Sequence, residues 1–241
     1  METTILVDID GVLATRNLPR LLSIYDDVLN LAIPKEQLAC VRSLEAFHAL
    51  PQAQAHRIKM GEVRYQNQFT ALRFHPHYVA ACHMIHGSLQ GVRYLVKRCN
   101  ALSYCTARVI NFNEQWNAAL ARSTWIWLKN NDFPNEGQIF FCDGPQAKLT
   151  RIVAMIRERA QSVLLIDDSL EMLLSAFDAL PNENQRVLSE HLTLAAFGYE
   201  ECDQESTLQV IPFPNWAEVH NLAVNRPKEI NHGEGQRWQP R

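Results

Sequence analysis

Apolar positions along this chain alternate between two patterns. Five short runs are apolar on both faces: Thr4–Val7, Ala101–Cys105, Ile139–Cys142, Val163–Ile166 and Thr193–Phe197. Runs of that length, bounded by polar residues, predict strands buried on both sides, as in a parallel sheet. Between them apolar residues recur at helical spacing. Trp116, Ala119, Leu120, Ser123 and Trp127 share one face; so do Leu149, Ile152, Val153, Ile156 and Ala160, and again Leu170, Leu173, Leu174 and Phe177. Strands alternating with such helices predict an α/β fold, a doubly wound parallel sheet with helices on both sides. In such sheets functional groups collect at the carboxyl ends of the strands.

The stretch 14–87 breaks the alternation. Leu18, Leu21, Leu22, Tyr25, Val28, Leu29 and Ala32 mark an amphipathic helix ending near Pro34. A second helical pattern runs from Lys35 to Leu50 and is broken by Pro51; a more polar third carries Arg57, Lys59, Arg64 and Arg73. The expectation is a helical lobe, 14–87, inserted into a core made of 1–13 and 88–225, with 226–241 a polar surface tail.

Composition narrows the class of molecule. The 241 residues are 47% apolar and 20% charged, enough apolar side chain to offset the entropy of ordering. A net charge of −3 supplies no general attraction for nucleic acid or anionic membrane, so neither is expected as a partner. Apolar runs of four or five residues are far short of the roughly 20 needed to span a bilayer. The opening Met-Glu-Thr-Thr has no basic, then apolar, secretory pattern, and the six cysteines form no C-x-x-C pair. A reduced, cytoplasmic protein is expected.

The chemistry gathers where apolar runs stop. The first ends in Asp8-Ile9-Asp10-Gly11. Two carboxylates so close repel one another and call for a cation, although D-x-D-G alone reads equally well as a polar turn. The pattern then repeats, because Val163–Ile166 ends in Asp167-Asp168-Ser169, and together the acids offer oxygen ligands suited to Mg²⁺. Ala101–Cys105 ends in Thr106-Ala107-Arg108, presenting a hydroxyl; Ser103 lies inside the strand and points elsewhere. Lys148 follows the loop Asp143–Ala147 at the expected start of a helix, where a cation opposes the helix dipole unless an anion is near. Carboxylates, hydroxyl, ammonium and a divalent metal at strand ends are the groups of phosphoryl transfer.

The order D-x-D-G, strand-end Thr, Lys, strand-end D-D resembles the haloacid dehalogenase-like (HAD) hydrolase superfamily, over about residues 3–13 and 88–200. Thr124-Trp125-Ile126-Trp127-Leu128, followed by Phe133-Pro134, is similar to a T-x-x-W-L-x-x-x-x-F-P segment of phosphatases in that class. The helical lobe occupies the place of the family's cap. The resemblance implies that Asp8 is the nucleophile, forming an aspartyl-phosphate, and that Asp10 is the general acid and base. It implies that Thr106, Ala107, Arg108 and Lys148 meet the phosphoryl group. It also implies that Mg²⁺ is held by Asp8, the backbone carbonyl of Asp10, and Asp167 or Asp168. An acid at position 10 fits a phosphate ester, whose alkoxide needs a proton, better than a halide. The implied activity is hydrolysis of a small phosphate ester. The alternatives are a nucleotide or nucleic-acid-end phosphatase, suggested by the Trp127 segment, and a non-catalytic binding protein of the same fold. His75, His77, His83 and His86 invite a zinc reading, but no supporting cysteine or carboxylate pair sits at matching spacing, so they read as a polar hinge or as substrate-facing residues. The basic residues Arg57, Lys59, Arg64 and Arg73 read as a solvated face or as a site for an anionic leaving group.

Overall fold

A computed structural model of the protein describes residues 3–99, 101–108, 114–202 and 206–222; the expected tail at 226–241 lies outside them. In chain order the elements are β1 (Thr3–Val7), β2 (Ala14–Thr15), α1 (Leu18–Leu29), α2 (Lys35–Cys40), α3 (Leu44–His48), α4 (Pro51–Met60), α5 (Glu62–Leu72), α6 (Pro76–Val79) and β3 (His83–Met84). They continue with α7 (Ser88–Val96), β4 (Ala101–Thr106), α8 (Glu114–Asn130), β5 (Ile139–Phe141), α9 (Gly144–Arg159), β6 (Ser162–Asp167), α10 (Leu170–Asp178), α11 (Asn182–His191), β7 (Leu192–Phe197) and β8 (Gln209–Phe213), then a 3-10 helix, Trp216–Asn221.

Six strands form one parallel sheet in the order β5-β4-β1-β6-β7-β8. β1 is central, pairing Ile5 with Leu102 on one side and with Leu164 on the other. Alternation along the strands divides the core between the two faces. Ile5, Val7, Leu164 and Ile166 point to the side of α7, α8 and the 3-10 helix, while Leu6, Val163 and Leu165 point to α9, α10 and α11. Both faces are covered, which is why these strands read as unbroken apolar runs. β8 escaped that reading because Gln209-Val210-Ile211-Pro212-Phe213 carries a proline. It is the sheet's edge strand, where a residue without an N–H costs no ladder bond on the open side. Two helices, α7 and α11, were also not foreseen.

The α8 face is rotated from the expected one. Leu120, Thr124, Trp127 and Leu128 are buried, whereas Ala119 is exposed. The Lys35–Leu50 helix is two short ones, α2 and α3, because Ser43 caps α3 by accepting a hydrogen bond from the Ala46 N–H at 3.1 Å. Pro51 then opens α4 at its first turn, where its missing N–H costs nothing. Helices α1–α6 gather around their own apolar cluster of Leu21, Leu22, Tyr25, Phe47, Tyr65 and Phe69. The chain enters and leaves them through a two-stranded antiparallel ribbon, β2 with β3, pairing Ala14 with Met84 and Thr15 with His83. All six cysteines are thiols. Among the described residues, no helix is long and apolar enough to cross a membrane.

Candidate active site

β1 stops at Val7, and the Asp8 N–H makes a last bond to the Ile166 carbonyl at 2.9 Å. The chain then folds into a tight loop in which Leu13 and Ala14 both donate to the Ile9 carbonyl. The loop requires a glycine at position 11 twice over. Its φ is +80°, and a Cβ there would lie 1.8 Å from Asp168 Oδ2. Asp8 at the strand end and Asp10 in this loop both line the same cavity.

At the neighbouring strand end, Asp167 Oδ1 accepts the Ser169 N–H at 2.9 Å, and Oδ2 accepts from Lys148 Nζ at 2.5 Å. Lys148 also donates to Asp8 Oδ1 at 3.0 Å, so one buried ammonium ties the two strand-end carboxylates together. α9 begins at Gly144, earlier than expected. Gly144-Pro145 is thus its first turn, and Lys148 projects from within the helix instead of from its start. Asp8, Asp167 and Asp168 each offer an oxygen, and the three oxygens lie within 4.8 Å of one another. Burial drives the Asp8 carboxyl well above the ordinary carboxylate range; Lys148 opposes this, while Asp167 and Asp10 add to it. Burial and the charge of Asp167 likewise raise Asp168. Lys148 goes the other way: burial alone would lower it, but Asp8 and Asp167 raise it, so it stays an ammonium. The cluster carries more negative charge than one lysine balances. An all-oxygen donor set of this kind fits a hard divalent cation.

Asp10 is engaged elsewhere. Its two oxygens accept from Arg108 Nε and Nη2, both at 2.7 Å, and Arg108 Nη1 donates to Thr124 Oγ1 at 2.9 Å. Partial burial pushes the Asp10 carboxyl up, but the guanidinium outweighs it and the carboxyl is held below its ordinary range. Arg108 is 2% exposed and is not among the residues that line the cavity; three of its donors are turned to Asp10 and Thr124. Thr106 is fully buried, and its hydroxyl lies close enough to Asp10 to help hold that carboxyl down. Ala107 lines the cavity beside it.

The remaining candidates resolve into structure. Thr124 anchors Arg108, Trp127 donates its indole N–H to the Cys82 carbonyl at 2.9 Å next to β3, and Phe133 stacks on Trp127. The T-x-x-W-L-x-x-x-x-F-P segment thus braces the ribbon and Asp10's partner. His75 caps α6 and stacks on His77, and His83 pairs in β3; among the described residues the four do not gather into a metal-ligand group. Of the basic residues Arg57, Lys59, Arg64 and Arg73, only Arg73 reaches the cavity, where Arg16, not singled out from sequence, joins it. The cavity has a volume of about 640 Å³.

No family model matches the chain, and no curated protein matches it in sequence. Solved structures do. A HAD-superfamily hydrolase of subfamily IA from Geobacter sulfurreducens PCA shares 15% identity over 92% of this chain and 96% of its own, with a TM-score of 0.50. A 2-haloacid dehalogenase from Pseudomonas syringae pv. Tomato DC3000 is 12% identical over 92% and 97%, with a TM-score of 0.46. A beta-phosphoglucomutase from Pyrococcus sp. strain ST 04 is 9% identical over 87% and 92%, with a TM-score of 0.44. The protein has the fold of the HAD-superfamily hydrolases.

Proposed function

We propose that the protein is a Mg²⁺-dependent phosphatase of a small phosphate ester, working through an aspartyl-phosphate on Asp8, with the helical segment 18–79 acting as a cap over the site. The observation that carries this reading is the Lys148 bridge between Asp8 and Asp167, with Asp168 completing a three-carboxylate oxygen cluster at adjacent strand ends. Those three carboxylates would hold the metal. When bound, it supplies positive charge against the phosphoryl oxygens and the clustered acids.

The chain's own groups divide the remaining work. Asp8 attacks phosphorus; the P–O bond to the leaving group breaks and an acyl phosphate forms. Lys148 offsets charge between the carboxylate and the phosphoryl oxygens. The buried hydroxyl of Thr106, at the strand end beside Asp10, is the donor for a phosphoryl oxygen. Asp10, held ionised by Arg108, is suited to take a proton from the water that hydrolyses the acyl phosphate. Donating a proton to an alkoxide in the first step requires its pair with Arg108 to open.

The test is phosphate release from 4-nitrophenyl phosphate, with Mg²⁺ or with EDTA, alongside chloride release from 2-chloropropanoate. Metal-dependent phosphate release without chloride release is expected. Chloride release, or an undiminished phosphatase rate in EDTA, overturns the proposal.

A further inference from the structure

The cavity over the acidic cluster has two chemically different walls. All four of its carboxylates, Asp8, Asp10, Asp167 and Asp168, stand on the sheet side. The opposite wall comes from the β2–α1 junction and the helices, and contributes no acid; its charges are Arg16 and Arg73. Beside the two arginines that wall is mainly apolar side chain, Leu21, Leu44, Phe74 and Tyr78, with Thr15 and Cys82 as its small polar residues.

The state of each cation separates two roles. Lys148 is occupied by Asp8 and Asp167, and Arg108 by Asp10. Arg16 and Arg73 make no side-chain hydrogen bond and no ion pair among the described residues. Glu45, whose carboxyl feels the charge of Arg16, is not part of the cavity wall. The two guanidiniums come from opposite ends of the helical segment, Arg16 just after β2 and Arg73 just after α5, so the fold brings them to one wall. A guanidinium is a planar fork of donors matched to a carboxylate or a phosphate.

We infer that the substrate's leaving group carries a second anionic group, a carboxylate or phosphate, bound by Arg16 and Arg73, with an apolar carbon portion between it and the phosphoryl end. The inference rests on the phosphatase reading for which end of the substrate faces Asp8. It makes esters with neutral, heavily hydroxylated leaving groups the poorer substrates, because the wall facing them offers two cations and mainly apolar side chain.

Binding of non-hydrolysable phosphonates tests this without turnover. Calorimetry in Mg²⁺ buffer compares benzylphosphonate, 4-carboxybenzylphosphonate and 1,4-bis(phosphonomethyl)benzene, the last two separating a carboxylate from a second phosphate. The wild type is expected to bind at least one doubly anionic ligand about 10–100-fold more tightly than benzylphosphonate, the size of a charge-assisted contact. Arg73→Gln and Arg16→Gln should each shrink that preference and the double variant abolish it. Arg73→Lys should retain part, and Arg64→Gln, on an exposed site away from the cavity, should retain all of it. Both cavity arginines are exposed, so thermal melts of the variants should match wild type. Equal affinity for all three ligands, binding of none, or a preference that survives the double variant overturns the inference. Failure of the phosphatase reading looks different: the preference and its loss in the variants persist, but no phosphate ester is turned over.

Discussion

At the scale of single residues, the site is a problem of charge crowding that each side chain answers differently. Asp8→Asn is nearly isosteric, keeps an acceptor for Lys148, and removes both the proposed nucleophile and one anionic ligand. Phosphatase rate should fall by about 10⁴-fold or more while the melting temperature stays close to wild type or rises. A near-normal rate would remove Asp8 from the chemistry. Asp10→Asn should slow the proposed hydrolysis of the acyl phosphate by about 10²–10⁴-fold, giving a burst of 4-nitrophenol before a slow steady state. The same substitution tests the pair with Arg108. A carboxyl held below its unfolded value stabilises the fold above that value, near pH 4, and loses the contribution as pH falls through the folded one. The stability difference between wild type and Asp10→Asn should therefore be full at pH 7 and shrink below about pH 4. Half of the Asp10 side chain is exposed, so the difference at pH 7 is expected at about 1–2 kcal/mol, below that of a fully buried pair. A difference that is flat with pH would mean the pair contributes nothing. At Gly11, alanine meets both a left-handed φ and the Asp168 carboxylate. Gly11→Ala is expected to cost about 1–3 kcal/mol and to weaken Mg²⁺ binding measured by calorimetry, since Asp168 must move.

Among the elements, the close approach of α7 to the 3-10 helix leaves the least room for change. α7 approaches the 3-10 helix through Gly91, where a Cβ would sit 2.1 Å from the Trp216 ring. Trp216 cannot retreat freely. It packs edge-on against Phe213, and its indole N–H donates to the Val12 carbonyl at 2.8 Å, inside the loop that carries Asp10 and Gly11. Gly91→Ala should destabilise by about 1–3 kcal/mol in denaturant unfolding, from overpacking, and should also lower activity by disturbing that loop. Trp216→Phe in the Gly91→Ala background opens space and should recover part of the stability. No recovery would show that the cost is not steric. The same closeness explains α8, where Thr124 and Trp127 face inward because Arg108 and the Cys82 carbonyl need donors and acceptors there.

For the whole molecule, the sheet supplies acids and the helical segment supplies arginines, joined through the narrow β2–β3 ribbon. A cation that binds the folded acidic cluster and not the unfolded chain stabilises by mass action. Titrating Mg²⁺ should raise the melting temperature progressively, by an amount equivalent to about 2.7 kcal/mol at a hundred times its Kd, and EDTA should reverse the rise. Asp8→Asn should blunt the response. A melting temperature indifferent to Mg²⁺ in the wild type would argue that the cluster holds no such metal.

Strand positions could be read without a structure wherever a strand is buried on both faces, because the apolar run is then continuous and its end abrupt. That is why Asp8, Thr106 and Asp167 stood out: each falls where such a run stops. The edge strand β8, open on one side and carrying Pro212, had no such signature, and α9 began before the residue that drew attention to it. The tertiary structure decided everything that depends on residues distant in sequence. Arg108 reaches Asp10 across 98 positions, and no local pattern distinguishes an arginine that faces substrate from one that holds a carboxylate. Arg57, Lys59, Arg64 and Arg73 look alike along the chain, yet of these four only Arg73 lines the cavity, where Arg16, 57 positions earlier, lines it too. Hydrophobic periodicity is a local property set by burial of each element, whereas charge pairing is a property of where elements end up. The first is written in the order of residues; the second exists only once they are folded.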